Sequence, residues 1–130
     1  MSTKYSVTIE QFAKNHFIKK FQKKYKKPWD ITWQALIEQY KRIDQLFNTS
    51  IAEIIINSSK VKIVKTEFRI AGTKQSRKGS GNRCILAINN DSQIVSILLV
   101  YNKNDLSGKN ETAQWKKLIK DNYKKYRNLF

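Results

Sequence analysis

Apolar and polar positions along the chain change period several times, and each change marks an element. Tyr5, Val7 and Ile9 alternate with Ser6 and Thr8, the period of a short strand. From Gln11 to Lys26 the apolar residues Phe17, Ile18, Phe21 and Tyr25 return at helical spacing, while Lys14, Lys19, Lys20, Lys23, Lys24 and Lys27 fill the remaining positions. This predicts an amphipathic helix with a basic outer side. Pro28 is expected to end it, because the residue before a proline is driven out of the helical region. Asp30 is placed to cap a second helix with an apolar stripe of Trp33, Leu36, Ile37, Tyr40, Ile43 and Phe47. The short connection predicts an antiparallel helical hairpin.

The stretch "NTSIAEIIINSS" fits a short helix and a strand equally, and the pattern leaves both open. Beyond it Val61 and Ile63 alternate with Lys60 and Lys62, and Phe68 and Ile70 with Glu67 and Arg69, as in a half-buried strand. The phase slips near Val64, which suggests a bulge there. "RCILAI", "NNDS" and "QIVSILLVY" read as strand, turn and strand. The last segment places Trp115, Leu118, Ile119, Asn122, Tyr123 and Tyr126 on one helical face. The order β-α-α-β-β-β-α predicts a small α/β (α+β) fold, with an N-terminal strand, a helical hairpin, a three-stranded antiparallel meander and a C-terminal helix. No repeat or linker divides residues 1–130, so a single domain is expected.

Charge sharpens this picture. The net charge is +16, so the surface field must attract a polyanion, whether nucleic acid, an acidic protein or an anionic membrane. The cations are concentrated in "RIAGTKQSRKGSGNR", which holds Arg69, Lys74, Arg77, Lys78 and Arg83, no anion, and three of the four glycines. One cysteine, Cys84, precludes an internal disulfide, and one histidine, His16, precludes the Cys/His clusters of structural zinc sites. No metal and no cofactor are expected. "MSTKYSVTIE" lacks the apolar core of a signal peptide, and no apolar run reaches the roughly 18–20 residues of a membrane span, so a cytoplasmic protein without a membrane partner is expected.

The strand parity that groups Cys84, Leu86 and Ile88 puts Arg83 on the opposite face with Ile85 and Ala87, and Arg69 is likewise out of phase with Phe68 and Ile70. If the helical hairpin covers one face, both arginines share the other, where planar guanidinium groups hold phosphate bidentately. A concave sheet face rimmed by loop lysines would then cradle RNA or DNA. A solvated connection is the competing reading of Lys74, Arg77 and Lys78. The loop matches neither G-x-x-x-x-G-K-S/T nor G-x-G-x-x-G, so nucleoside triphosphate binding is unsupported. His16 reads as a structural or surface residue.

"FRIAGTKQSRKGSGNRCILAI…QIVSILLVYNKNDLS…E", from Phe68 to Glu111, resembles the RelE/HigB-like toxins of bacterial type II toxin-antitoxin modules, in the RelE/ParE superfamily. In that family a basic, glycine-rich segment precedes a strand-opening Arg, and a later apolar strand runs into Tyr-x-Lys, an acidic residue and a terminal helix. Arg83 matches the strand-opening Arg, Tyr101 and Lys103 match Tyr-x-Lys, and Arg69 corresponds to a basic residue of the preceding strand. The segment carries "GSGN" where the family often has two glycines, Leu86 and Ala87 where an aromatic often closes the strand, and no obvious Tyr or His after Lys103.

The resemblance implies a metal-independent mRNA interferase that cuts mRNA at the ribosome, in contact with 16S rRNA, and is silenced by a cognate antitoxin. Arg83 and Arg69 would stabilise the phosphorane, Lys103 would stabilise the leaving oxygen or tune a neighbour, and Lys74, Arg77 and Lys78 would bind RNA; Tyr101 would stack a base or move a proton, with a core aromatic at a strand end as its equal alternative. Two alternatives stay open: a ParE-like poison of DNA gyrase, and a non-catalytic basic nucleic-acid-binding protein.

Overall fold

A computed structural model describes residues 4–47, 49–106 and 110–130. Asn48 of the ambiguous stretch and Ser107 of the toxin-like stretch lie outside the described residues. Strand β1 (Ser6–Ile9) leads into helix α1 (11–25), which is α-helical at Gln11–Ala13, takes a π-helical turn at Lys14–Ile18 and resumes as α-helix over Lys19–Tyr25. Helix α2 (Lys27–Tyr40) and a 3₁₀ turn at Ile43–Leu46 follow. Next come β2 (Ala52–Asn57), β3 (Val61–Phe68), the one-turn helix α3 (Arg77–Ser80), β4 (Asn82–Asn89) and β5 (Ile94–Asn102). A 3₁₀ turn at Lys103–Asp105, helix α4 (Glu111–Asn122) and a 3₁₀ segment at Lys124–Leu129 complete the order.

The described strands form one sheet of order β1-β5-β4-β3-β2. The expected three-stranded meander is a four-stranded one, β2 to β5, because the ambiguous stretch is a strand antiparallel to β3. β1 adds a fifth strand, parallel to β5, through Ser6↔Ile94 to Ile9↔Ile97. The slip near Val64 has a different origin from the one expected. β3 runs without interruption, and the extra residue is in β2, where Ile54 pairs with Val64 and Ile56 with Ile63. Ile63 faces one core and Val64 the other, so two consecutive apolar residues reflect a strand buried on both sides.

Each face of the sheet has its own core. The helical hairpin lays Phe21, Trp29, Leu36 and Tyr40 against Phe68, Cys84, Leu86, Ile88 and Ile97. On the opposite face Trp115, Ile119, Tyr123 and Tyr126 cover Ile63, Ile85, Ala87 and Leu99. The open sheet face expected for the arginines is therefore a second core, since α4 needs apolar surface for its stripe and finds it there. No helix among the described residues is long and apolar enough to cross a membrane.

The hairpin joint also differs from expectation. Pro28 does not terminate α1 but lies in the first turn of α2, where its missing N–H costs no hydrogen bond. Asp30 is in that same turn, near the positive end of the helix dipole, rather than at the cap. The break falls at Lys26, with φ 57° and ψ −123°, whose carbonyl accepts the amides of Trp29 and Asp30. A side chain held in so sparsely populated a backbone region costs about 1–3 kcal/mol, most of which glycine does not incur. Lys26→Gly is therefore expected to raise the thermal midpoint by roughly 2–5 °C, read by calorimetry; a lowered midpoint would show that this joint is unstrained.

Candidate nucleic-acid interface

The basic stretch is loose in composition but fixed at its base. Thr32 Oγ1 on α2 accepts from Ala71 N at 2.8 Å, tying the start of the loop to the helical hairpin. Ser76 Oγ accepts from Gly79 N at 2.9 Å, closing α3. Gly81, at φ +77°, turns the chain into β4, and a Cβ there would lie 3.1 Å from Lys103 Cγ. Ser80 Oγ donates to Phe68 O and accepts from Asn82 N, while Asn102 Nδ2 donates to Ser80 O and Asn82 Oδ1. These bonds lock the ends of β3, β4 and β5 together and leave the loop cations outside.

Strand register then assembles a lateral row. Glu67 on β3 pairs with Arg83 on β4, and Arg83 pairs with Tyr101 on β5. Arg83 is only 6% exposed, so its charge needs compensation close by. Nη1 lies 3.6 Å from Glu67 Oε2, and Nε lies 3.8 Å from Glu111 Oε2 at the start of α4. The same Glu111 oxygen lies 3.6 Å from Lys65 Nζ and accepts the Tyr101 hydroxyl at 2.7 Å. Two cations and two carboxylates thus balance beneath the loop. Compensation is electrostatic rather than by good hydrogen bonds, for Arg83 Nε is buried with no partner.

Tyr101 has no exposed ring face on which a base can stack. Burial, then the hydrogen bond to Glu111 and its charge, hold the Tyr101 hydroxyl far above the ordinary phenol range, only partly opposed by Arg83. It stays protonated and serves as a donor to Glu111. Burial pushes the Cys84 thiol up to about 12, so Cys84 is an inert core residue.

The exposed cations lie on the other side of Glu67. A cleft of about 630 Å³ is lined by Ser50, Glu67, Arg69, Ser76, Arg77 and Lys78. None of Arg69, Arg77 and Lys78 forms an ion pair among the described residues, so the cleft carries three open cations around one carboxylate. Lys74 is exposed but does not line this cleft. Lys103 is exposed at the same end of the sheet, where its amide donates to Gly81 O at 2.8 Å and its stem passes over Gly81. His16 sits on α1, stacked on Phe12 at 4.4 Å, away from these residues.

Sequence reasoning left Lys65, Glu67 and Glu111 out of the site. Lys65 and Glu67 share Arg83's face by strand parity, so a correct β3–β4 register would have paired them with it. Glu111 needs the docking of α4, which no local pattern encodes.

No family model matches this sequence, and no curated protein matches it. In structure, the chain is similar to one chain of the crystal structure of the archaeal RelE-RelB complex from Pyrococcus horikoshii OT3. The likeness has a TM-score of 0.51 at 14% identity, covering 78% of this chain and 96% of that one. This chain has a RelE-like fold. Within the RelE-like fold, the sheet end that carries Arg83 also carries the cationic cleft, Lys103 and the start of α4.

Removing Arg83 leaves Glu67 without its cation and Glu111 with Lys65 alone, so Arg83→Ala is expected to lose about 2–4 kcal/mol in denaturant unfolding. Arg69→Gln, Arg77→Gln and Lys78→Gln, at exposed unpaired positions, should each stay within about 0.5 kcal/mol of the parent. Equal stability of Arg83→Ala would show that the buried charge row contributes nothing. A second expectation follows from the protons that the fold retains. The folded state keeps the Cys84 and Tyr101 protons that an unfolded chain releases near pH 9 and 10, so stability is full below those values and falls as pH rises through them. Tyr101→Phe should flatten the decline above pH 10 in melts run from neutral to alkaline buffer; an unchanged slope would contradict the burial of this hydroxyl.

Proposed function

We propose that this chain is the toxin of a type II toxin-antitoxin pair, a ribosome-dependent mRNA endonuclease countered by a cognate antitoxin. The RelE-like fold supports the class, and the net charge of +16 supports a polyanionic target. The observation that carries the chemistry is the cleft in which Arg69, Arg77 and Lys78 stand unpaired around Glu67.

Metal-independent RNA cleavage transfers the 2′-hydroxyl proton to a base while the 2′-oxygen attacks phosphorus; the bond to the 5′-oxygen breaks with its electron pair on that oxygen, which takes a proton from water, and a 2′,3′-cyclic phosphate remains. The extra negative charge on the phosphorane needs cations, which Arg69, Arg77 and Lys78 supply. The base is Glu67, the one carboxylate lining the cleft, since Tyr101 is buried and held in its protonated form. Arg83 acts through Glu67 as a positioning residue, holding the carboxylate from behind at 3.6 Å. Lys103 stabilises the leaving oxygen from the neighbouring turn, and Lys74 adds to the outer RNA-attracting field. Alignment of mRNA by the ribosome and 16S rRNA supplies orientation that the exposed cleft lacks. The antitoxin presents an acidic segment to the same cations.

In a purified translation system, mapping of mRNA 5′ ends should reveal cuts that require ribosomes. Glu67→Gln should lower their rate by about 10²–10⁴-fold. Arg69→Gln with Arg77→Gln should also suppress cutting, with the melting temperature retained. In cells induced to express the protein, intact mRNA beside arrested growth would overturn the endonuclease reading in favour of gyrase poisoning. Intact mRNA with normal growth would favour plain nucleic-acid binding.

A further inference from the structure

A second cavity opens at the same sheet end, on the hairpin side of the loop. It measures about 460 Å³, within the range of roughly 300–1,000 Å³ typical of small-ligand sites. Phe17 and Tyr25 of α1 give it an aromatic wall, and Lys20 and Lys24, one helical turn apart, stand on its rim. Neither lysine forms an ion pair among the described residues, although Lys24 Nζ lies 5.2 Å from the centre of the Tyr25 ring. The opposite wall is polar. It carries Gln75, Asn104 and Asp105, placed by the loop and by the turn after β5.

These polar groups are not consumed by the fold. Ser80 and Asn102, which also reach the cavity, spend their side chains on the hydrogen bonds that lock the strand ends. By contrast, the side-chain amides of Gln75 and Asn104 and the Tyr25 hydroxyl have no hydrogen-bond partner among the described residues. Asp105 accepts only a long contact of 3.4 Å from Asn102 N. Aromatic surface, two free amides, an acceptor carboxylate and two rim cations form the combination that holds one unstacked base by its ring face and its edge, with a flanking phosphate outside.

The two cavities meet at consecutive residues of the loop. Gln75 lines this one, and its neighbour Ser76 lines the cationic cleft. A single strand crossing the α3 turn would pass from one to the other. We infer that the cavity between α1 and the ends of β4 and β5 is a base pocket for single-stranded RNA, adjoining the phosphate-binding cleft. This rests on the RNA-directed reading given above. The carboxylate of Asp105 accepts from an exocyclic amino group and repels a carbonyl oxygen, so adenine and cytosine are favoured over uracil.

The test is direct binding, without ribosomes, of 2′-O-methylated heptamers of adenosine, cytidine or uridine, which cannot be cleaved. By fluorescence anisotropy at 150 mM salt, the adenosine and cytidine heptamers should bind at least fivefold tighter than the uridine heptamer. Asp105→Ala combined with Gln75→Ala should bring the three within twofold of one another. Arg69→Gln should weaken all three by one common factor. Equal affinities for the parent protein, or a preference that survives the pocket variants, would overturn the inference. Failure here with ribosome-dependent cutting intact would leave the endonuclease reading standing, while a base preference without cutting would sink that reading and keep the pocket.

Discussion

A guanidinium buried as deeply as Arg83 has to bring its counter-charges with it, and much of the sheet end is organised around that requirement. Glu67 arrives through the β3–β4 register, Tyr101 through the β4–β5 register, and Glu111 through the docking of α4 on the second face. One oxygen of Glu111 meets Lys65, Arg83 and Tyr101 together. Moving any of these elements by one residue would strand a charge in an apolar setting, a change worth several kcal/mol.

This arrangement divides the cations by task. Arg83 has its charge balanced inside the fold, whereas Arg69, Arg77 and Lys78 stand free in solvent on the far side of Glu67. A polyanion meets the free set first, because exposed unpaired charges lose least on exchanging water for phosphate. Glu67 belongs to both sets. It is the hinge between a compensated interior and an uncompensated surface, and the geometry therefore makes it the most informative side chain in the region. The Ser80–Asn102 lock keeps the two sides in register, so the loop's glycines shape turns without loosening the site.

Much of this was legible in the sequence. Strand parity placed Arg83 with Ile85 and Ala87, and helical spacing identified both hairpin helices and α4. What remained hidden was non-local. The run Ile54 to Ile56 is apolar in both periods, and only its pairing with β3 makes it a strand. Parallel pairing of β1 with β5 joins residues far apart in the chain. The stripe of Trp115, Ile119 and Tyr123 announces that α4 needs a partner surface but not which face, and that choice turned an expected open cradle into a core. Pro28 carries two meanings, helix stop and helix first turn, and the strained Lys26 beside it decided between them.

The most direct measurement is the arginine side-chain Nε–H spectrum of the intact protein, followed as a non-cleavable RNA heptamer is added. The Arg69 and Arg77 signals should shift on binding while the Arg83 signal, slow to exchange with solvent, stays in place. An Arg83 signal that moves together with them and loses its protection would contradict this, for the buried charge row would then be opening to the phosphate.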